Sequence, residues 1–326
     1  MDPTVQVSII CNAYNHEKYI RDALEGFVNQ KTNFAFEVLI HDDASTDGTA
    51  EIIREYEEKY PSIIKPIYQT ENQYSKRIGI DRTFQKPRAK RKYVAMCEGD
   101  DYWTDPLKLQ KQYDFMEAHP EYSLCICSTD WYNIKTGHLE NRGRIKEDRD
   151  ISLKEIILEE NGRIFQYATV FMKTDVWVGM PLWCRAFPIG DYPLALNAAL
   201  NGKVRMLADT MAVYRFYSKN SWTVRMDNDD ARAKISRQMI EGLDAFNEAT
   251  DHKYEEAVNK RRKRHRYMQA MMEHDLKTLH SKELEEIHKS RSALFRFSTL
   301  IRCKFPRLYE IVMKPIARMI KSAYGK

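Results

Sequence analysis

Cys97-Glu98-Gly99-Asp100-Asp101-Tyr102-Trp103 places three carboxylates within four residues, directly after the apolar run Tyr93 to Cys97. Apolar residues that give way abruptly to acidic ones describe a buried strand delivering carboxylates at its C-terminal end. Like charges at that spacing repel, so the cluster costs stability unless a cation or a raised pKa relieves it. A hard divalent ion, Mg2+ or Mn2+, is the simplest relief, because it takes oxygen ligands and keeps positions open for a substrate phosphate. The competing reading is an acidic strand-to-helix turn that caps the helix near Leu107.

Two further segments repeat the pattern upstream. Val5-Gln6-Val7-Ser8-Ile9-Ile10-Cys11 reads as a buried strand and runs into the polar loop Asn12-Ala13-Tyr14-Asn15-His16. Tyr19, Ile20, Ala23, Leu24, Phe27 and Val28 then recur at helical spacing, predicting an amphipathic helix from Glu17 to Asn29. Phe36 to Ile40 is a second strand, ending in His41-Asp42-Asp43-Ala44-Ser45-Thr46-Asp47-Gly48-Thr49. A second helix stops at Pro61 and a third strand covers Ile63 to Tyr68. Strand alternating with helix predicts an α/β fold, a mostly parallel sheet with helices on both faces. Such sheets bind ligands beyond the C-terminal ends of their strands, where Asn12–His16, Asp42–Asp47 and Glu98–Asp101 all fall. The first loop has no glycine, and no Gly-x-x-x-x-Gly-Lys loop occurs, so a nucleotide would have to be held another way.

The later chain is less regular. Glu71 to Lys92 is rich in Lys and Arg and reads as a solvated face from which one or two cations reach a phosphate. Strands are expected at Tyr122–Ser128, Phe165–Met172, Gly202–Leu207 and Met211–Tyr217. Thr136–Arg149 reads as a charged loop, Ser152 as the cap of a short helix, and Ser218–Asn228 as a flap around Trp222. Asp191, ahead of the helix Leu194–Leu200, is either that helix's N-cap or a catalytic carboxylate. From about Asp229 helical patterns take over, which sets expected domains at 1–228 and 229–326.

Composition excludes several classes. The net charge is +5, but residues 295–326 hold eight Lys/Arg against one Glu, so the other 294 residues carry −2. A near-neutral body argues against a nucleic-acid partner. The basic tail, mixed with Phe, Leu and Ile, reads either as a segment in peripheral contact with an anionic membrane or as a helix packed on the main domain. No run of about 18 apolar residues predicts a membrane span. Met1-Asp2-Pro3-Thr4 leads straight into a strand, so no signal peptide is expected. The six scattered cysteines read as reduced thiols, and the localisation as cytoplasmic, with the inner face of the membrane within reach of the tail.

From Val5 to Tyr217 the chain resembles the family 2 glycosyltransferases, inverting enzymes with the GT-A fold. Val7 to Asn15 is similar to their opening strand and nucleotide loop, and Asp42 to Thr49 to their second-strand motif. Glu98 to Trp103 is similar to their metal-binding motif, and Gly190-Asp191-Tyr192 to the late acidic position. The resemblance implies a UDP-sugar or other nucleotide-sugar donor bound by Asn12, Tyr14, Asn15, Asp43 and Asp100. It implies Mn2+ or Mg2+ on Asp101, Asp100 and Glu98, and Asp191 as the catalytic base. The partner it implies is a glycan or lipid-linked acceptor, in polysaccharide synthesis. Glu98 departs from the family's more usual Asp, and Gly190 stands where some relatives carry an acid. Two rival readings share the fold: a sugar nucleotidyltransferase, and a non-catalytic relative that binds the nucleotide-sugar.

Overall fold

The computed structural model describes residues 2–159, 164–218, 224, 226 and 228–313. Much of the predicted flap, including Trp222, and the tail beyond residue 313 lie outside the described residues. The chain divides into two compact units, one of residues 1–181 and 189–221, the other of 182–188 and 222–326.

In the first unit the β-branched run near the N-terminus forms β1 (Asp2–Ala13). Helix α1 (Ile20–Val28), β2 (Phe34–Asp42), α2 (Thr49–Lys59) and β3 (Ile64–Tyr68) follow in the expected order. A π-helical turn at Asp81–Gln85 leads to β4 (Tyr93–Met96), β5 (Tyr102–Trp103) and α3 (Lys108–Ala118). Next come β6 (Tyr122–Asn133), β7 (His138–Gly143), β8 (Arg149–Asp150), α4 (Leu153–Leu158), β9 (Phe171–Lys173), α5 (Thr174–Val178), α6 (Asp191–Asn201) and β10 (Lys203–Phe216). One mixed sheet runs β3-β2-β1-β4-β9-β6-β10-β5, with β7 on β6 and β8 on β10. β1 is parallel to both β2 and β4, and β6 is parallel to β10. Val7 to Cys11 and all of β4 are buried at every residue, so both faces of the sheet are covered there. Helix α1 buries Ile20, Ala23, Leu24 and Phe27, and Phe27 meets Trp103 edge-on at 4.9 Å.

Three elements differ from the sequence reading. The stretch expected as a charged loop holds β7, the return of a hairpin turned at Gly137, whose φ of +70° suits glycine. Its residues are mostly exposed, so no alternation of apolar side chains betrays it. The expected strand at 165–172 is strand only at Phe171–Lys173, because Tyr167–Thr169 closes a 3-10 turn. The two expected strands from Gly202 onward are one, β10, which shifts register against β6 around the polar residues Asp209 and Thr210. Ser152 caps α4 as expected and completes a capping box with Glu155.

The second unit is helical, led by Asp229–Ala249, capped by Asn228, and Glu255–Met272. Its core gathers Tyr267, Ala270, Met271, Met272, Leu279 and Leu284. Residues 182–188, expected with the sheet, belong here. Trp183 meets Phe246 edge-on at 5.2 Å, and Phe187 fills the space left by Gly242, where a Cβ would come within 2.5 Å of Phe187 Cδ1.

Gln85, fully buried, ties the ends of β1 and β2 together. Its Nε2 donates to Cys11 O at 3.2 Å, Leu39 O at 3.0 Å and Asn12 Oδ1 at 3.0 Å. Gln85→Leu leaves those acceptors short of a donor, and urea unfolding is expected to show a loss of about 1–3 kcal/mol.

Candidate functional site

Strand register brings the acidic and polar segments to one edge. Ala13 lies opposite Asp42 on β2, and Ile10 lies opposite Met96 on β4. Past the strands the pairing continues, with Asp43 N donating to Ala13 O at 2.9 Å and Gly99 N to Asn12 O at 2.9 Å. Asn12, Asp43 and the Glu98–Asp101 turn therefore line the C-terminal edge of three neighbouring parallel strands, the position where open α/β sheets bind ligands.

The first two loops are stitched to each other. Asn15 N donates to Ser45 Oγ at 2.9 Å, Thr46 N to Asn15 Oδ1 at 2.8 Å, and His16 N to Thr49 Oγ1 at 2.8 Å. Asn15 and Ala44 hold left-handed backbone, φ 57° and 60°, which is ordinary for asparagine and costs energy for alanine. Asn15 thus braces the second loop, while Tyr14 remains 38% exposed. Asp43 is buried and accepts from Gln73 N at 2.8 Å and Tyr74 N at 3.0 Å, one amide on each oxygen. It anchors the segment after β3, and each oxygen retains a second lone pair.

The three carboxylates of the central turn face different partners. Burial, then Asp81, Asp100 and Asp101, push Glu98 well above the usual carboxylate range, and a hydrogen bond from Asn12 offsets this only in part. Asp100 Oδ2 accepts from Ser218 Oγ at 2.8 Å. Asp101, 3% exposed, accepts from Arg215 N at 2.8 Å, and burial followed by Asp100 raises its carboxyl despite that bond. Among the described residues no three His, Cys, Asp or Glu side chains converge as a closed metal cage. Asp100 and Asp101 are each fixed at one oxygen. That donor set suits an ion that takes one or two carboxylates and completes its shell with water and phosphate oxygens. Gly99 is forced by space, since a Cβ there would lie 2.8 Å from His16 Nδ1 and 2.9 Å from Ile20 Cδ1.

Several site residues escaped the sequence reading. Asp81, embedded in the basic segment, accepts from Asn12 Nδ2 at 2.9 Å and from the buried Tyr167 hydroxyl at 3.0 Å. It adds a fourth carboxylate beside Glu98. Arg88, from the same segment, is spent on backbone carbonyls, donating to Ile40 O at 3.3 Å and also to Lys65 O. Arg215 is buried at the end of β10. Its guanidinium donates to Asp100 O at 3.0 Å and to Asp22, and it lies 4.2 Å from the Tyr102 ring centroid. No local signal marks either residue, because their partners are remote in sequence.

Asp191 is the first helical residue of α6, with Gly190 in the N-cap position. Its Oδ1 accepts from Tyr192 N at 2.7 Å, and burial raises its carboxyl above the ordinary aspartate value. A cavity of about 480 Å3 opens elsewhere, beside Asp22, Glu25, Tyr102, Trp103 and Asp105, and contains none of the residues of the first two loops.

Residues 8–219 match the sequence model described as Glycosyl transferase family 2. An uncharacterized Mycobacterium tuberculosis protein is 38% identical over 218 residues, which span 66% of this chain and 60% of that protein. The putative teichuronic acid biosynthesis glycosyltransferase TuaG of Bacillus subtilis is 37% identical over 230 residues, 64% of this chain and 87% of its own. Among solved structures, S. aureus TarS 1-349 in complex with UDP-GlcNAc superposes with a TM-score of 0.58 at 17% identity, covering 93% of this chain and 83% of that one. The fold is of the GT-A type, and the C-terminal region is helical.

Arg215→Lys keeps the charge but loses the planar fork that serves two partners at once. It is expected to lower stability by about 1–3 kcal/mol in urea unfolding. It should also raise the donor KM several-fold, because the backbone carbonyl of Asp100 loses the guanidinium that fixes the turn, while the bond from Arg215 N to Asp101 stays.

Proposed function

The chain belongs to glycosyl transferase family 2, and on that premise we infer that it moves a sugar, with inversion, from a nucleoside-diphosphate donor to an acceptor hydroxyl. The observation that carries this reading is the single strand edge shared by Asn12, Asp43 and the Glu98–Asp101 turn. UDP is the preferred nucleotide. Its support is the free lone pairs of Asp43, suited to a ring N–H, and the exposed Tyr14 ring, suited to stacking on a base. A glycan or lipid-linked acceptor fits the polymer-building relatives, and a lipid-linked one would bring the enzyme to a membrane surface.

Asp100 and Asp101 are the residues that would hold Mn2+ or Mg2+, with Glu98 behind them. Such an ion would supply the positive charge that a leaving diphosphate needs. The chain's own residues do the rest. Asn12 and Asp43 fix the nucleoside, Arg215 and Ser218 hold the carboxylates in place, and Asp191 takes the proton of the acceptor hydroxyl as it attacks the anomeric carbon. A raised carboxyl is the stronger base, and burial supplies that rise at Asp191. A nucleotidyltransferase would need no such base. A non-catalytic relative would have no cause to retain four carboxylates at one cleft.

Thermal melting with UDP, GDP and dTDP, with and without Mn2+, tests the donor site. Saturating UDP at about a hundred times its dissociation constant should add about 2.7 kcal/mol, and only with the metal. No shift with any nucleotide would overturn the reading.

The base assignment makes its own prediction. Asp191→Asn should lower transfer by about 10²–10⁴-fold with UDP binding intact. For the parent enzyme, kcat/KM should fall as pH falls, because the base must be ionised, with the midpoint above the ordinary aspartate pKa of 3.8.

A further inference from the structure

The helix Ala293–Lys304 is inside out. Its buried side is polar. Thr299 and Arg302 are 4% and 5% exposed, and Arg302 pairs with Asp229, donates to Met272 Sδ at 3.2 Å and lies 4.8 Å from the Tyr309 ring centroid. Thr299 donates to Phe295 O at 2.9 Å. Cys303 packs on the unit's core and Phe297 and Leu300 edge a groove with Leu276 and Leu279, but most of the large apolar side chains stay open to solvent. Leu294, Phe297, Ile301, Phe305, Leu308 and Val312 recur every three or four residues, the spacing of a helical face, carried here by the helix, its non-helical cap Phe305 and the short turns that follow. Leu294, Phe297, Phe305 and Leu308 are all about half exposed or more, and Ile301 is half-buried. Pro306 sits in the first turn of the short helix Pro306–Leu308, and Tyr309–Met313 continues as a π-turn.

We propose that this stripe is a membrane-docking face that lies in the plane of an anionic bilayer and brings the enzyme to a lipid-borne acceptor. Charge selects this occupant. Residues 291–313 carry five basic residues against one acid, and 314–326 add four more basic residues and no acid. Lys304 and Arg307 are exposed beside the stripe. Aromatic and aliphatic side chains on one face, rimmed by Lys and Arg, match an interfacial helix drawn to anionic headgroups. A second copy of the chain would bring two equally basic segments together, and their repulsion opposes that pairing. No helix among the described residues is long and apolar enough to cross a membrane, so the contact is peripheral. The acceptor part rests on the transferase reading; the lipid contact does not.

The test is sedimentation of the full chain with vesicles of phosphatidylcholine alone and of phosphatidylcholine mixed with phosphatidylglycerol, without donor or metal. The chain should favour the anionic vesicles, and added salt should weaken binding. Lys304→Gln with Arg307→Gln should weaken binding to anionic vesicles about thirty-fold and leave phosphatidylcholine binding unchanged. Phe297→Asp with Leu308→Asp should abolish binding to both while leaving the UDP-induced thermal shift intact. Equal binding by parent and both double variants would overturn the proposal. So would a parent dimer in light scattering that the aspartate pair splits. If the aspartate pair fails to fold, the glutamine pair decides, since both its positions are exposed. Loss of the UDP shift in the parent would count against the donor reading alone.

Discussion

The constraint from which the site follows is that β1 runs parallel to both of its neighbours, β2 and β4. Parallel strands send their C-terminal ends to the same edge, so residues that are 30 to 90 positions apart in the chain meet there without any long-range side-chain pairing. The cost is that three sets of strand ends leave polar backbone groups exposed to a crowded cleft. The structure meets this cost with side chains rather than with further strand. Gln85 serves the carbonyls of Cys11 and Leu39, and Asp43 serves the amides of Gln73 and Tyr74. Each such residue both closes the sheet edge and shapes the floor of the cleft.

Charge is the second constraint. Asp81, Glu98, Asp100 and Asp101 are brought together by that edge, and burial, followed by the neighbouring carboxylates, raises the carboxyls of Glu98 and Asp101. The guanidinium of Arg215 addresses the carbonyl of Asp100 and the carboxylate of Asp22. It therefore fixes the turn's backbone, and its charge offsets only part of the rise at Asp101. The turn is thereby held against the flexibility that repulsion among its carboxylates would otherwise impose.

Much of this was legible in the residues. The runs before Asn12, Asp42 and Glu98 are apolar and β-branched, and each ends in a polar segment, so their shared edge could be read before any geometry. What hid was whatever owes its role to a distant partner. Asp81 is masked by surrounding Lys and Arg, although it faces Asn12 and Tyr167. Arg215 reads as one more strand residue, and its bond to Asp101 spans 114 positions. β7 hid for a different reason: an exposed strand carries no apolar alternation, and its hairpin is held by the turn at Gly137 and by Arg144 on Asp130, both at 2.6 Å to the two carboxylate oxygens.

Asp191 shows how two local effects combine at one group. As the first helical residue it sits where amide dipoles favour the charged carboxylate, and the bond from Tyr192 N adds to that preference. Burial acts the other way and prevails, so the carboxyl ends above its ordinary value. The helix start limits the rise that burial imposes, so one aspartate both begins a helix and keeps a carboxyl above its ordinary value.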